Sequence, residues 1–490
     1  MKKPEELYYT IRSLDSHELR YFRLFAKRHV AESDNSYLKL FDIILNDKEV
    51  DDKELKSVHK VKNLPRTKQY LLLLLHKALL QYHDNDSWAA QVKRYTRLTE
   101  IFLEKGEYQV AMENLERAEK IAKKFHLQPE LLRLLDLKYQ VRNRSGDTNL
   151  MSDYILIAKE EFESLKQLDE IVSARLSLES MKKVDKEKGA SRVADKKDEY
   201  DEVLNEIDTE LKDDSKNEDA VLLLKNARLF YFYNHSEHEN FYKEIKGIMD
   251  IYSRSATLIK KDEYRYLVSL NNYLVCCVRT EREKEFGKYS LLFRDYKTNS
   301  HSLSHYISVR FASLSVYKII QFKEYDKITK VLPYITNSLK QIPVKNNVIL
   351  SSLYYSICIC LLQIKNYPEA LRWSNRIIAG TDFLFNNSVF RPAMLVNLIA
   401  NYEIGETDVL ISNIRSFERM LSKRKPEENY EFIFFREMKK INNSTQKEKV
   451  RTIFAGLKTA LEAELKKNKQ NDILYGFDLV NWVKEKSEAR

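Results

Sequence analysis

A chain of 490 residues, 43% of them hydrophobic, has ample material for a buried core. At roughly 100 to 200 residues per domain its length allows two to four domains, unless repetition makes one long body. Nine glycines and eight prolines supply too few tight connections for a β-sandwich or a doubly wound sheet, so composition alone predicts an all-α fold. Lys and Arg (83) against Asp and Glu (73) leave a net charge of +10, which excludes a polycation and permits nucleic-acid binding without arguing for it.

The opening Met1-Lys2-Lys3-Pro4-Glu5-Glu6 carries acidic residues where a secretory signal would be apolar, and predicts a protein that is not exported by that route. Asp15 and Glu18 then have the spacing of a capping box, followed at helical intervals by Leu19, Phe22, Phe25 and Ala26. Tyr37, Leu40, Phe41 and Ile44 make a second apolar stripe. After a charged stretch from Asp51 to Lys62, Asn63-Leu64-Pro65 precedes a third helix carrying Leu71 to Leu75, Leu79 and Tyr82. Pro65 suits a first turn, where its missing N–H would be unpaired anyway. Residues 1–85 are therefore read as a helical N-terminal module. Within it, the basic run from Lys60 to Lys68 is a candidate element for a DNA groove, the alternative being the solvated face of a packed helix.

From residue 86 the chain repeats itself. Tyr95, Leu98 and Phe102 precede Gly106-Glu107-Tyr108, and Ala111, Leu115 and Ala118 follow. This resembles the tetratricopeptide helix–turn–helix signature position by position, departing at Thr99 and at Lys123. Weaker copies are anchored at Gly146-Asp147-Thr148 (before Met151, Ile155 and Ala158), at Phe286 (before Tyr289 and Phe293) and at Lys323-Glu324-Tyr325 (before Ile328 and Leu332). Two more stand at Asn366-Tyr367 (before Ala370) and at Gly405-Glu406-Thr407 (before Leu410 and Ile414). Neighbouring anchors recur every 39 to 42 residues, longer than the 34 of a strict tetratricopeptide unit. The resemblance implies a right-handed superhelix, an α-solenoid of antiparallel helix pairs with a period near 40, over residues 86–425. The competing expectation is an irregular helical bundle.

Residues 182–219 break the rhythm, being rich in charge with Tyr200 as their one aromatic; they are read as a solvated helical excursion or a partly disordered insertion. Val348 to Ile364 carries no formal charge, yet it is short of the about 20 residues a spanning helix needs and contains Ser351, Ser352, Ser356 and Gln363. A buried helix accounts for it, and no membrane association is expected. Residues 426–490 hold Ile453, Leu457, Leu461 and Leu465, then Leu474, Phe477, Leu479, Val480 and Trp482, and are read as a helical C-terminal cap. The two ends, through Leu14-x-x-x-x-Leu19-x-Tyr21-Phe22, Tyr37 to Asp42 and Phe477 to Trp482, resemble those of a family of uncharacterised Bacteroidota proteins of about 500 residues. That likeness implies a bacterial, helical protein and transfers no site.

No linear motif carries chemistry. The nine glycines are too scattered for a phosphate-cradling loop or a nucleophile elbow, and no H-E-x-x-H occurs. Cys276-Cys277 and Cys358-x-Cys360 read as reduced, buried thiols of a cytoplasmic protein. His301 with His305, and His235 with His238, lack a third ligand at a recognisable spacing, so no metal or cofactor is expected. Of the 30 tyrosines, Tyr95, Tyr108, Tyr325, Tyr354 and Tyr367 fall at packing positions of the repeat.

An array of this kind presents a concave face lined by the first helix of each pair. In the register above, Arg310, Tyr317, Gln321, Tyr355, Gln363 and Tyr402 project toward it, mixing aromatic bulk with hydrogen-bonding ends as interface anchors do; the competing expectation is that each packs a neighbouring repeat. The expected function is a non-enzymatic scaffold that docks a protein or peptide partner, with no small-molecule substrate evident. The alternative partner is a nucleic acid bound through the basic N-terminal module.

Overall fold

A computed structural model describes residues 6–29, 36–47, 52–57, 63–84, 87–146, 150–186, 197–212, 217–235, 237–339, 348–379, 389–422, 430–444, 446–467 and 477–488. Among the described residues the fold is all-helical, with 24 α-helices, one 3-10 turn at Tyr325–Lys327 and no strand. The chain divides into two compact units, residues 1–169 and 170–490.

The first unit opens with α1 (Glu6–Ser13), α2 (Ser16–His29), α3 (Ser36–Asn46), α4 (Asp52–Ser57) and α5 (Leu64–Tyr82). The capping box forms: Asp15 Oδ1 accepts from the Glu18 N–H at 2.8 Å, and Glu18 Oε2 accepts from the Asp15 N–H at 2.8 Å. Phe22, Phe41, Ile44, Leu71 and Leu75 share one core with Leu7 and Ile11. The charged stretch after residue 51 is not featureless, because α4 anchors itself there through the buried Leu55. Next come α6 (Trp88–Glu104), α7 (Tyr108–Lys124) and α8 (Gln128–Ser145), packed on one another with Ala111, Leu115 and Ala118 fully buried between them. Small residues on α7 let the helices approach closely.

The unit boundary falls inside α9 (Leu150–Lys186), a 37-residue helix roughly twice the length the repeat pattern expects. Here the sequence register is corrected. Ile155 is 57% exposed and Ala158 is exposed too, while Ile157 is buried one position later. Within the first unit α9 buries Ile157 and Ser164, and within the second it buries Ala174 and Met181, each pair seven residues apart and so on one side of its part of the helix.

The second unit continues with α10 (Lys197–Glu210), α11 (Glu218–Asn234), α12 (His238–Arg254), α13 (Ala256–Lys261), α14 (Glu263–Arg279), α15 (Glu283–Arg294), α16 (His301–Gln321) and α17 (Ile328–Leu339). It is completed by α18 (Val348–Gln363), α19 (Tyr367–Ile378), α20 (Phe390–Ile404), α21 (Thr407–Ser422), α22 (Tyr430–Asn442), α23 (Lys447–Lys467) and α24 (Leu479–Glu488). Helices pack in chain-order pairs, α11 on α12, α14 on α15, α16 on α17, α18 on α19 and α20 on α21, and the first members also touch their counterparts: α14 meets α16, α16 meets α18, and α18 meets α20. The charged segment 182–219 is not a purely solvated excursion. Tyr200 is 1% exposed and Ile207 fully buried on α10, where they pack with Ala174, Met181, Leu224 and Tyr231. Residues 187–196 and 213–216 lie outside the described residues. The uncharged run from Val348 forms α18, buried on nearly every side, and among the described residues no helix is long and apolar enough to cross a membrane.

One turn recurs. After α6, α7, α14, α16, α18 and α20 the backbone places Gly106, His126, Glu281, Lys323, Lys365 and Gly405 at positive φ, from +51° to +86°. The residue after each donates its N–H to the carbonyl five positions back, at 2.8–3.0 Å, as in Glu107 to Phe102, Arg282 to Cys277 and Asn366 to Leu361. The left-handed residue itself donates three positions back. This is the Schellman cap, which satisfies the orphaned carbonyls of a helix end.

Candidate functional site

Helix α14 is apolar on most of its surface, since it packs between α12, α15 and α16. Polar residues nonetheless interrupt it at Arg265, Ser269, Asn272 and Arg279, three to seven apart and so along one face. That face, with Val268, Val275 and Cys276, forms one wall of a cavity of about 530 Å³. The facing wall is α11, through Leu223, Asn226, Leu229, Phe230 and Tyr233. The C-terminal part of α9 contributes Leu178 and Lys182, and the start of α12 contributes His238 and Phe241. Every lining residue belongs to the second unit, and the size suits a ligand or several side chains of a bound segment.

The polar groups of the wall are held from behind. Arg279 Nε donates to the Tyr317 hydroxyl at 2.8 Å, and its guanidinium lies 5.4 Å from the Tyr233 ring centre. Arg265 is braced by Asp262 at 3.5 Å and Asp219 at 3.7 Å. Lys182 pairs with Glu179 at 2.6 Å. Asn226, also in the lining, donates through Nδ2 to the Leu222 carbonyl at 2.6 Å. Of the lining residues none is Asp or Glu. Cys276 also lines the space, but burial pushes its thiol up to about 11, so it is protonated at neutral pH and is not a nucleophile. Burial raises Cys277 and Cys360 to about 12 and Cys358 further still.

The residues expected from the sequence to face a partner lie on the next first helices along. Arg310, Tyr317 and Gln321 stand on α16, Tyr355 and Gln363 on α18, and Tyr402 on α20. The structure brings one of them, Tyr317, to the cavity, through Arg279. Arg310 lies over the Tyr306 ring at 5.5 Å; Gln321 and Gln363 are half-buried. Tyr355 is buried in the core of α16 to α24. Tyr402 packs edge-on against Phe454 and Trp482, with ring centres 5.6 and 6.0 Å away, in the contact between α20 and the C-terminal helices.

A second, more open groove of about 820 Å³ runs between α5 and α6 in the first unit, with Leu79, Leu80, Lys93, Arg94 and Arg97 among its walls. Its charges are largely matched: Arg94 pairs with Asp84 at 3.3 Å, Arg97 with Glu100 at 3.0 Å, and His83 with Glu18 at 2.7 Å. The basic run at the N-terminal module offers less than its sequence promises. Lys68 is 7% exposed and bonded to Asp52 under the Tyr8 ring, and Thr67 is buried with its hydroxyl on the Asn63 carbonyl; Lys60 and Lys62 lie outside the described residues. Among the described residues no group of three or more His, Cys, Asp or Glu side chains is placed to hold a metal ion.

Comparison with family models, curated proteins and solved structures found no match. The reading of this site therefore rests on its own chemistry. The sequence analysis did not anticipate the cavity, because it took His235 to Glu239, between α11 and α12, as a polar loop at a repeat turn and singled out no residue of α11. The clue was present in α14, as polar residues at helical spacing inside an otherwise apolar run.

Proposed function

We propose that this chain is a non-enzymatic scaffold of the bacterial cytoplasm that docks a segment of a partner protein in the cavity between α9, α11 and α14. The observation that carries the reading is a cavity of about 530 Å³ lined by apolar side chains together with the amides Asn226 and Asn272 and the cations Lys182, Arg265 and Arg279, the arrangement of a recognition site. The paired helices from α11 to α21 and their common turn support a finer architecture, a right-handed tetratricopeptide-like superhelix with α9, α11, α14, α16, α18 and α20 on its inner side. Tyr317, Arg310 and Gln321 would then extend the docking surface beyond the cavity.

The test is capture of partners from the native cells by the intact chain and by Asn272→Trp, which fills the cavity, each with and without nuclease. A stoichiometric protein retained after nuclease by the natural chain and lost with Asn272→Trp is the expected outcome; equal capture by a folded variant overturns the site. A second reading, nucleic-acid association through the first unit, draws on the net charge of +10 and the cations of the α5–α6 groove. It requires binding that falls steeply with salt and that does not respond to Asn272→Trp.

A further inference from the structure

We propose that the protein pairs with a second copy of itself through the first-unit part of α9, the two helices lying parallel and in register as a short coiled coil. This goes beyond the docking reading and draws on no residue of the cavity. In the first unit α9 turns Ile157 into the core of α6 to α8 and buries Ser164 on the same side. Its opposite side is apolar as well. Ile155, Phe162 and Leu165 are 57%, 72% and 52% exposed, and Ala158 is exposed among them.

Spacing gives this stripe its meaning. Its members follow one another at three, four and three residues along the chain, the alternation of a coiled-coil seam, with Ile155 and Phe162 at position a and Ala158 and Leu165 at position d. A helix packed by one face alone keeps its other face polar. A β-branched residue at a and leucine at d favour two parallel strands, and the small Ala158 leaves room for the ring of Phe162 in the next layer. Leu156 is exposed too, but it falls at position b, outside the seam.

Charge selects the partner and its direction. Glu161 stands at position g and Lys166 at position e. In a parallel pair each g residue meets the e residue five positions further along the other strand, so Glu161 of one copy meets Lys166 of the other, twice by symmetry. Neither is engaged in an ion pair among the described residues, whereas Glu160 is held by Lys123 at 3.2 Å and Asp153 by Arg142 at 3.1 Å. An antiparallel pair would set g against g and e against e, like charge against like. Residues 150–169 hold five acids and two lysines, which disfavours an anionic lipid surface as the covering partner. Two heptads make a small interface, at the low end of the range for specific association, so the pairing is reversible and depends on concentration.

Sedimentation equilibrium of the full chain from about 1 to 100 μM tests this. The mass should rise above 58.2 kDa toward twice that value. Phe162→Glu, at a position exposed in the single chain and with its fold verified by circular dichroism, should stay at 58.2 kDa throughout. Glu161→Lys and Lys166→Glu each bring like charges together at both symmetric contacts and should weaken pairing about fivefold or more; the variant carrying both changes restores it. Ala158→Cys, in a chain whose native thiols are all buried, should form a disulfide with its own copy under mild oxidation, because a parallel seam faces d with d. A single-chain mass over the whole range overturns the proposal, as does a dimer indifferent to Phe162→Glu. A dimer that Phe162→Glu abolishes but Ala158→Cys does not cross-link overturns the parallel arrangement. Loss of pairing in Asn272→Trp would move the contact to the cavity and overturn this one.

Discussion

Four of the six recurring turns hold a side chain where glycine is the comfortable residue. His126, Glu281, Lys323 and Lys365 take φ between +51° and +58°, a conformation that costs a residue with a Cβ roughly 1–2 kcal/mol. Gly106 and Gly405 occupy the same place without that cost. Lys323→Gly and Lys365→Gly should therefore each stabilise the protein, by about 0.5–1 kcal/mol after the entropy that glycine adds to the unfolded chain. Denaturant midpoints for the single and double variants check this, and a loss of stability in either would mean that the lysine side chain contributes more than the turn geometry. The same residues explain what was legible in the sequence. The anchors at Gly106 and Gly405 announce themselves by residue type, whereas those at Lys323 and Lys365 were found through their spacing.

Among the helices, α12, α14 and α15 are joined by a polar cluster inside the core. Tyr242 donates to Glu285 at 2.8 Å and Tyr273 donates to the same carboxylate, while both rings are buried. Burial alone would raise Glu285, but the two hydroxyls overcome it and hold the carboxyl below its usual value; burial, then the same bonds, push the Tyr273 phenol far up. Glu285→Ala strands two buried hydroxyls and should cost about 2–3 kcal/mol. The sign of the pH dependence follows: with the folded value lowered, the contribution is complete above the ordinary glutamate range and is lost as pH falls through the lowered value. Urea unfolding of the natural chain and of Glu285→Ala across that range should show the difference between them shrinking toward acid. The sequence could not have revealed this cluster, since nothing sets Tyr242 and Tyr273 apart from the other 28 tyrosines or Glu285 from the other acids. At the C-terminal end, Trp482 donates to Glu403 at 2.6 Å and Lys486 reaches the other oxygen at 2.7 Å, so α24 is tied to α20.

At the scale of the whole chain, composition alone was enough for the fold class, because seventeen glycines and prolines among 490 residues leave few tight turns for anything but helices. Periodicity located most of the pairs in the second unit. It misjudged α9, whose continuous 37 residues ignore the repeat length, and it treated residues 182–219 by their charge, which hid the single inward face of α10. If the proposed superhelix is right, the radius of gyration in solution exceeds the about 23 Å of a compact body of this length. Small-angle X-ray scattering reads this directly, and a value near the compact one would favour the irregular bundle instead.

The turn residues Glu281, Lys323 and Lys365 have one more property: each is exposed while its own N–H and that of the next residue are hydrogen-bonded back to the preceding helix. All four native thiols are buried and protonated at neutral pH. A cysteine placed at any two of these turns would thus be the accessible thiol, carried on a rigid support, one to each helix pair. The fold comes with its own graduated ruler, along which paired fluorophores or spin labels report the pitch from one pair to the next.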